Sequence, residues 1–382
     1  MKRYLSLLLL VLLVFQLSAC GGESPTAAVA PRPTPTYSGA ENNSSSSNSN
    51  VIYTEELPNG LKVSIFTDGE MLLEGTDVEE NLKNRSVLKD FISNVKTLRL
   101  GAGVTKIGEK AFDGFTTLEN VVIGEDTVEI GYSAFSGCTA LRDVSFGKNL
   151  QKISDFAFDG CTSLKDAVLS DSVESIGSNA FKGCTALQNA SFGPNIQSMG
   201  TEIFSGCTSF ANLRCGSNIA PYAFENCTAL TSVTLEDTVI KIGERAFSGC
   251  TALKYVKYSP ALESIGNYAF AKCTTLANVT IEQCGALAIG DGAYSDCTGL
   301  ISVSLAEGVV SLGEKVFAND TALEKIVLPK TLKTIGYGVF YGTNSLRDLS
   351  YRGSAGDWNR IKKDNKWFDG SGRRQVTTYN AA

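Results

Sequence analysis

The chain has 382 residues, with 11 cysteines and no histidine, so catalysis or metal ligation through an imidazole is excluded before any motif is sought. Its 34 basic and 40 acidic side chains give a formal charge of −6, which argues against an electrostatic binder of nucleic acid, because such a protein needs a net basic face. Hydrophobic residues at 43% and charged ones at 19% are ordinary for a folded chain, whereas 37 glycines point to something rich in turns and repetitive.

In chain order, Lys2 and Arg3 precede an apolar run from Leu5 to Leu17. The run is too short to cross the ~30 Å hydrocarbon layer comfortably, and residues 1–19 read as a signal peptide. The run ends in Leu17-Ser18-Ala19-Cys20, which resembles the bacterial lipobox. That resemblance implies cleavage before Cys20 and lipid attachment to its thiol, an anchor that the acidic body could not obtain from anionic headgroups. Residues 20–50 include Ser44-Ser45-Ser46-Ser47 and Pro31-Arg32-Pro33-Thr34-Pro35. They hold too little apolar surface to offset the entropy of ordering and are expected to form a disordered tether. Residues 51–94 read as an N-terminal cap. Leu61 to Ile65 and Met71 to Leu73 flank Thr67-Asp68-Gly69 as a β-hairpin, and Leu82 to Val95 has helical spacing.

One unit then recurs over residues 95–352. An aromatic, usually preceded by alanine, stands at Phe112, Phe135, Phe158, Phe181, Phe204, Phe224, Phe247, Phe270, Tyr294, Phe317 and Phe340. The steps are of 23 residues except for one of 20, before Phe224, and one of 24, before Tyr294. A period in this range predicts a leucine-rich-repeat solenoid. In the unit Cys161 to Gly183, Leu164, Ala167 and Leu169 have the spacing of a strand that points them into a core while Val168 faces out. Val173 and Ile176 make a second inward pair before Gly177, and Ala180 and Phe181 close the unit in a short helical or 3₁₀ turn. No unit can bury its apolar set alone, so each depends on its neighbours.

The pattern C-T-x-L-x-x-V-x-L followed by I-G-x-x-A-F-x-G stands in Cys227 to Gly249 and, with Ser154 in place of the glycine, in Cys138 to Gly160. It resembles the BspA-like leucine-rich repeats. The resemblance implies a curved solenoid of about 11 repeats, with a parallel β-sheet on its concave face and short strands and helical turns on the outer side. It further implies a bacterial surface protein engaged in adhesion and in host or matrix binding. Two units depart from the pattern. The one from Cys207 lacks the I-G segment, so its wall should be thin or kinked; the one from Cys273 is a residue longer and carries Cys284 and Tyr294. Residues 353–369, with Trp358, Ile361, Trp367 and Phe368, read as an aromatic C-terminal cap over the open solenoid end, and 370–382 as a disordered tail.

Eight cysteines form one ladder, Cys138, Cys161, Cys184, Cys207, Cys227, Cys250, Cys273 and Cys297, each three residues after its aromatic. Phe115, Asp320 and Thr343 take the same slot in other units, which argues against a disulfide or metal ladder; free cysteine fills such a slot as a small buried hydrophobe, so free thiols are expected, with disulfides as the alternative and no metal. A ligand would be held on the outward strand positions. One row includes Asn120, Asp143, Asp166, Asn189, Asn212 and Tyr255, and the next includes Arg214 and Lys257. These shallow polar rows suit an extended macromolecular surface better than a small molecule, and Tyr and Arg are the types enriched at binding hot spots. No catalytic residue, cofactor or phosphate-binding loop is indicated. The expectation is a lipid-anchored envelope protein, monomeric, whose solenoid binds extracellular or host proteins or glycans. The alternatives are a self-assembling envelope component or the targeting module of a glycan-acting system.

Overall fold

The computed structural model describes residues 50–79, 82, 88–192, 195–371 and 376–378. The signal, Cys20 and the tether lie outside the described residues. The described chain opens with three strands, β1 (Val51–Glu56), β2 (Lys62–Phe66) and β3 (Glu70–Glu74), paired antiparallel in sequence. The β2–β3 turn is the expected one, closed at Gly69 with φ +84° and a bond from its N–H to Phe66 O. β3 then pairs parallel with β4 (Thr97–Leu100), so the meander is itself the first layer of the solenoid. Strand β1 was not expected, since Val51–Glu56 alternates poorly. The helix expected over 82–95 is, among the described residues, only the four-residue α1 (Lys89–Ile92).

After β4 the chain winds into rungs that each contribute to two parallel ladders. In the Phe181 rung the first strand is Asp166–Val168 and the second Ser175–Ile176. Leu164, Ala167, Leu169, Val173, Ile176, Ala180, Phe181 and Cys184 are all fully buried, so the inward set is the one that the spacing selects. The glycine after the second strand is favoured by close approach of rungs, although Ser154 takes the place in one of them. A Cβ on Gly131 would lie 2.6 Å from Ile107 O of the rung before.

The outer edge makes the i→i−3 bonds of a 3₁₀ turn, as from Lys182 N–H to Asn179 O at 3.2 Å and from Cys184 N–H to Phe181 O at 3.3 Å, but does not run on as a helix. Two residues of each turn lie near or in the left-handed region, two before and two after the aromatic, as at Asn179 (φ +58°) and Gly183 (φ +68°) around Phe181. These reversals stop the turn from propagating as a helix and direct alternate N–H groups to the next rung. Asn179, Phe181 and Gly183 donate to Thr201, Ile203 and Ser205 at 2.8–2.9 Å. Even bulky Phe156, Tyr222 and Tyr268 take this conformation, a local strain of about 1–3 kcal/mol that such inter-rung bonds offset. Inside the turns the aromatics form one continuous column, with neighbouring rings stacked at centroid distances of 5.2–5.9 Å from Phe112 to Phe340.

The irregular units are absorbed away from this column. The 20-residue unit keeps the isoleucine of the expected I-G segment, as Ile219 followed by Ala220, and is shortened before it instead; Phe204 and Phe224 still stack at 5.4 Å, and the loss falls on the second ladder, which breaks between Met199 and Lys241. Ile219 keeps a single bridge to Ile242, and Asn218 Oδ1 accepts the N–H groups of Ile240 and Lys241 at 2.9 and 3.0 Å. In the 24-residue unit, Tyr294 fits because Tyr258 reaches it. The two hydroxyls bond at 2.9 Å inside the core.

Residues 353–369 are more than a cap. Ser354 and Asp357 form a capping box for α2 (Ala355–Arg360); Lys362–Lys363 then joins the second ladder beside Thr334–Ile335. Phe368 packs against Phe340 at 5.7 Å with its ring turned by 64°, which makes this a twelfth rung. The helix lengthens the unit, and with it the step between aromatics, so periodicity alone does not reveal it. Part of the tail read as disordered is also ordered, since Val376–Thr378 pairs with Leu349–Tyr351.

Candidate functional site: the outward face of the first ladder

The first ladder runs in four hydrogen-bonded segments, spanning Val51–Ser145, Asp166–Ser191, Asn212–Lys257 and Asn278–Thr378. The register places the predicted residues in rows. Asn120 faces Asp143, Asp166 faces Asn189, and Asn212 leads through Ser232 to Tyr255. In the adjacent row Arg214 leads through Thr234 to Lys257. Asp143, Asp166, Asn189, Asn212, Arg214, Tyr255 and Lys257 are exposed, and Asn120 is partly so, while Val121, Ala167, Leu213 and Val256 between them are buried. Asp143 and Asp166 belong to different segments, so the interruption divides the row between these two carboxylates.

Much of the row is engaged with itself. Asn189 Nδ2 donates to Asp166 Oδ1 at 2.7 Å, and the Ser232 and Ser302 hydroxyls donate to Asn212 and Asn278 Oδ1 at 2.6 and 2.7 Å. Arg214, an expected hot spot, is bound to Glu236, Nε to Oε1 at 2.8 Å. Sequence reasoning missed that partner, although Glu236 follows the next strand directly. Lys257 makes no such pair among the described residues, and Tyr255 is 49% exposed.

The ladder cysteines face the core. Cys161, Cys184 and Cys250 each direct Sγ to the carbonyl of an aromatic 26 residues earlier, at 3.1–3.3 Å, and all ten cysteines of the described residues are free thiols. Burial pushes up the thiols of Cys161, Cys184, Cys207, Cys250 and Cys273, and that of Cys227 to about 12, so these stay protonated and unreactive. Asp320 is the odd occupant of this slot. Its Oδ1 accepts the Cys297 N–H at 2.7 Å, its Oδ2 has no partner, and burial, reinforced by Cys297 and Asp296, holds its carboxyl well above the usual range.

The model for the BspA type leucine-rich repeat region matches residues 89–214 and 217–347, with six copies. The chain belongs to that family, a repeat scaffold rather than an enzyme family. Among solved structures it is similar to a leucine-rich repeat protein from Bacteroides ovatus (19% identity, 87% of this chain and 98% of that one, TM-score 0.45). It is also similar to a leucine rich cell surface protein from Faecalibacterium prausnitzii (18%, 82% and 98%, 0.38) and to the pneumococcal vaccine antigen PcpA (15%, 86% and 99%, 0.48). No curated protein matches. Among the described residues no helix is long and apolar enough to cross a membrane.

Proposed function

We propose that this chain is an adhesive surface protein, tethered by a lipid on Cys20, whose first-ladder face binds host, matrix or other cell-surface macromolecules. The observation that carries the reading is the contrast within each strand. Buried positions repeat from rung to rung, whereas outward ones change among Asn, Asp, Ser, Thr, Tyr, Lys, Arg and, at Val122, Val168 and Val327, valine. A buried position answers only to packing; an exposed one is free to be shaped by a partner. The face is extended and polar, which suits a macromolecule better than a small molecule. Deleting the chain should abolish attachment of the bearing cells to matrix-coated surfaces. Attachment at the parental level would overturn the reading. Cys20→Ala should move the protein from the membrane to the soluble fraction.

A further inference from the structure

On the first-ladder face most basic side chains are compensated from a neighbouring rung. Lys96 and Arg142 both pair with Glu119, Arg99 with Glu70, Arg214 with Glu236, Lys325 with Asp348 and Arg347 with Glu324. Among the described residues of that face, Lys165, Lys254 and Lys257 lack a carboxylate within ion-pair distance, as do Lys62 and Arg352 toward its two ends. Lys254 and Lys257 share a single rung and bracket Tyr255, the most exposed aromatic of the first-ladder strands. In a chain of net charge −6 this is a local excess of positive charge.

Two further features coincide there. The strand Tyr255–Lys257 ends its hydrogen-bonded segment, so its side toward Asn278–Ile281 has no ladder partner and its backbone groups are open. The cross-strand neighbours of Tyr255 and Lys257 are the neutral hydroxyls Ser232 and Thr234, and the following rung carries Asn278 and Thr280 at the same two outward positions. We infer that this rung binds an acidic polysaccharide, with a pyranose ring stacked on Tyr255, its carboxylate or sulfate held by Lys257 and Lys254, and its hydroxyls bonded to the amide and hydroxyl side chains around them. An acidic peptide fits less well, because its apolar side chains would find no pocket on this flat face.

The inference rests on the proposed binding role of this face and is separable from it. The full chain, purified in mild detergent and immobilised, is titrated with heparin (sulfated), alginate (carboxylated), dextran (neutral) and poly-glutamate. The expected result is saturable binding of heparin or alginate that falls with salt, with dextran and poly-glutamate much weaker. Tyr255→Ala and Lys257→Gln should each weaken it by roughly tenfold, and Thr334→Ala, on the second ladder, should leave it unchanged. Circular dichroism and unfolding midpoints confirm that the variants fold. Failure of both charged polysaccharides to bind, binding that is indifferent to Tyr255→Ala and Lys257→Gln, or equal binding of poly-glutamate would overturn the inference. If matrix attachment still depends on the chain, the adhesive reading survives that failure; if attachment is independent of the chain, the adhesive reading fails by itself.

Discussion

The outer turns and the first-ladder strands are built by the same rungs, yet they obey opposite rules. Around the aromatic column residue identity is nearly fixed. Alanine, phenylalanine and cysteine recur because each ring must stack on the next at 5.2–5.9 Å and each thiol must fill one small slot beneath a carbonyl. Along the strand face identity drifts, because an outward side chain there answers to solvent and to its cross-strand neighbour alone. Repetition within one chain thus separates positions held by packing from positions open to recognition.

Breaking the column should cost most. Phe181→Ala removes a fully buried ring stacked on both sides and should lower stability by about 3–5 kcal/mol in denaturant unfolding. Tyr255→Ala, of comparable size but exposed, should fall within about 0.5 kcal/mol. Near-equal losses would erase the distinction between the two regions.

Asp320 sharpens the same contrast, because it is a titratable residue placed on the packing side. Its folded carboxyl pKa lies above the unfolded value of about 3.9, so the native state binds a proton that the unfolded state releases. Stability is therefore greatest below the unfolded pKa and declines as pH rises from there toward the folded pKa. Asp320→Cys, which restores the ladder residue, should remove that decline and stabilise at neutral pH by about 1–3 kcal/mol. An unchanged pH profile of unfolding in this variant would refute the assignment.

The Tyr258–Tyr294 pair makes a smaller test. Tyr258→Phe or Tyr294→Phe alone strands one buried hydroxyl and should cost about 1–3 kcal/mol, while the double variant should recover much of the loss. Additive losses would mean that the hydroxyls do not depend on each other. Smallest of all, Arg214→Ala should change stability by only about 0.5 kcal/mol, since both partners of its ion pair are about half exposed.

The column and the inward set were legible from spacing, because burial repeats with the period. Leu164, Val173, Ile176, Phe181 and Cys184 lie where the unit places them. The left-handed turn residues were not, because Lys110, Ser133, Asn179 and Glu202 share no side-chain chemistry; their backbone angle is imposed by the neighbouring rung. Phe368 was read as a cap because α2 lengthens its unit and the alanine before the aromatic is replaced by Trp367. On the strand face, spacing located the rows but not their internal pairing. The Glu236 partner of Arg214 and the open edge beside Tyr255 arise from contacts between rungs that no single unit contains.

The division of labour is tested most directly by two full-length variants of matched size, measured for matrix attachment and for unfolding midpoint. In one, Ser232, Tyr255, Lys257 and Asn278 of the first ladder become alanine; in the other, Lys241, Ser264, Thr334 and Lys362 of the second ladder do. The account predicts that the first variant loses attachment with its midpoint unchanged and that the second keeps both. Attachment that survives in the first, or is lost equally in both, would contradict it.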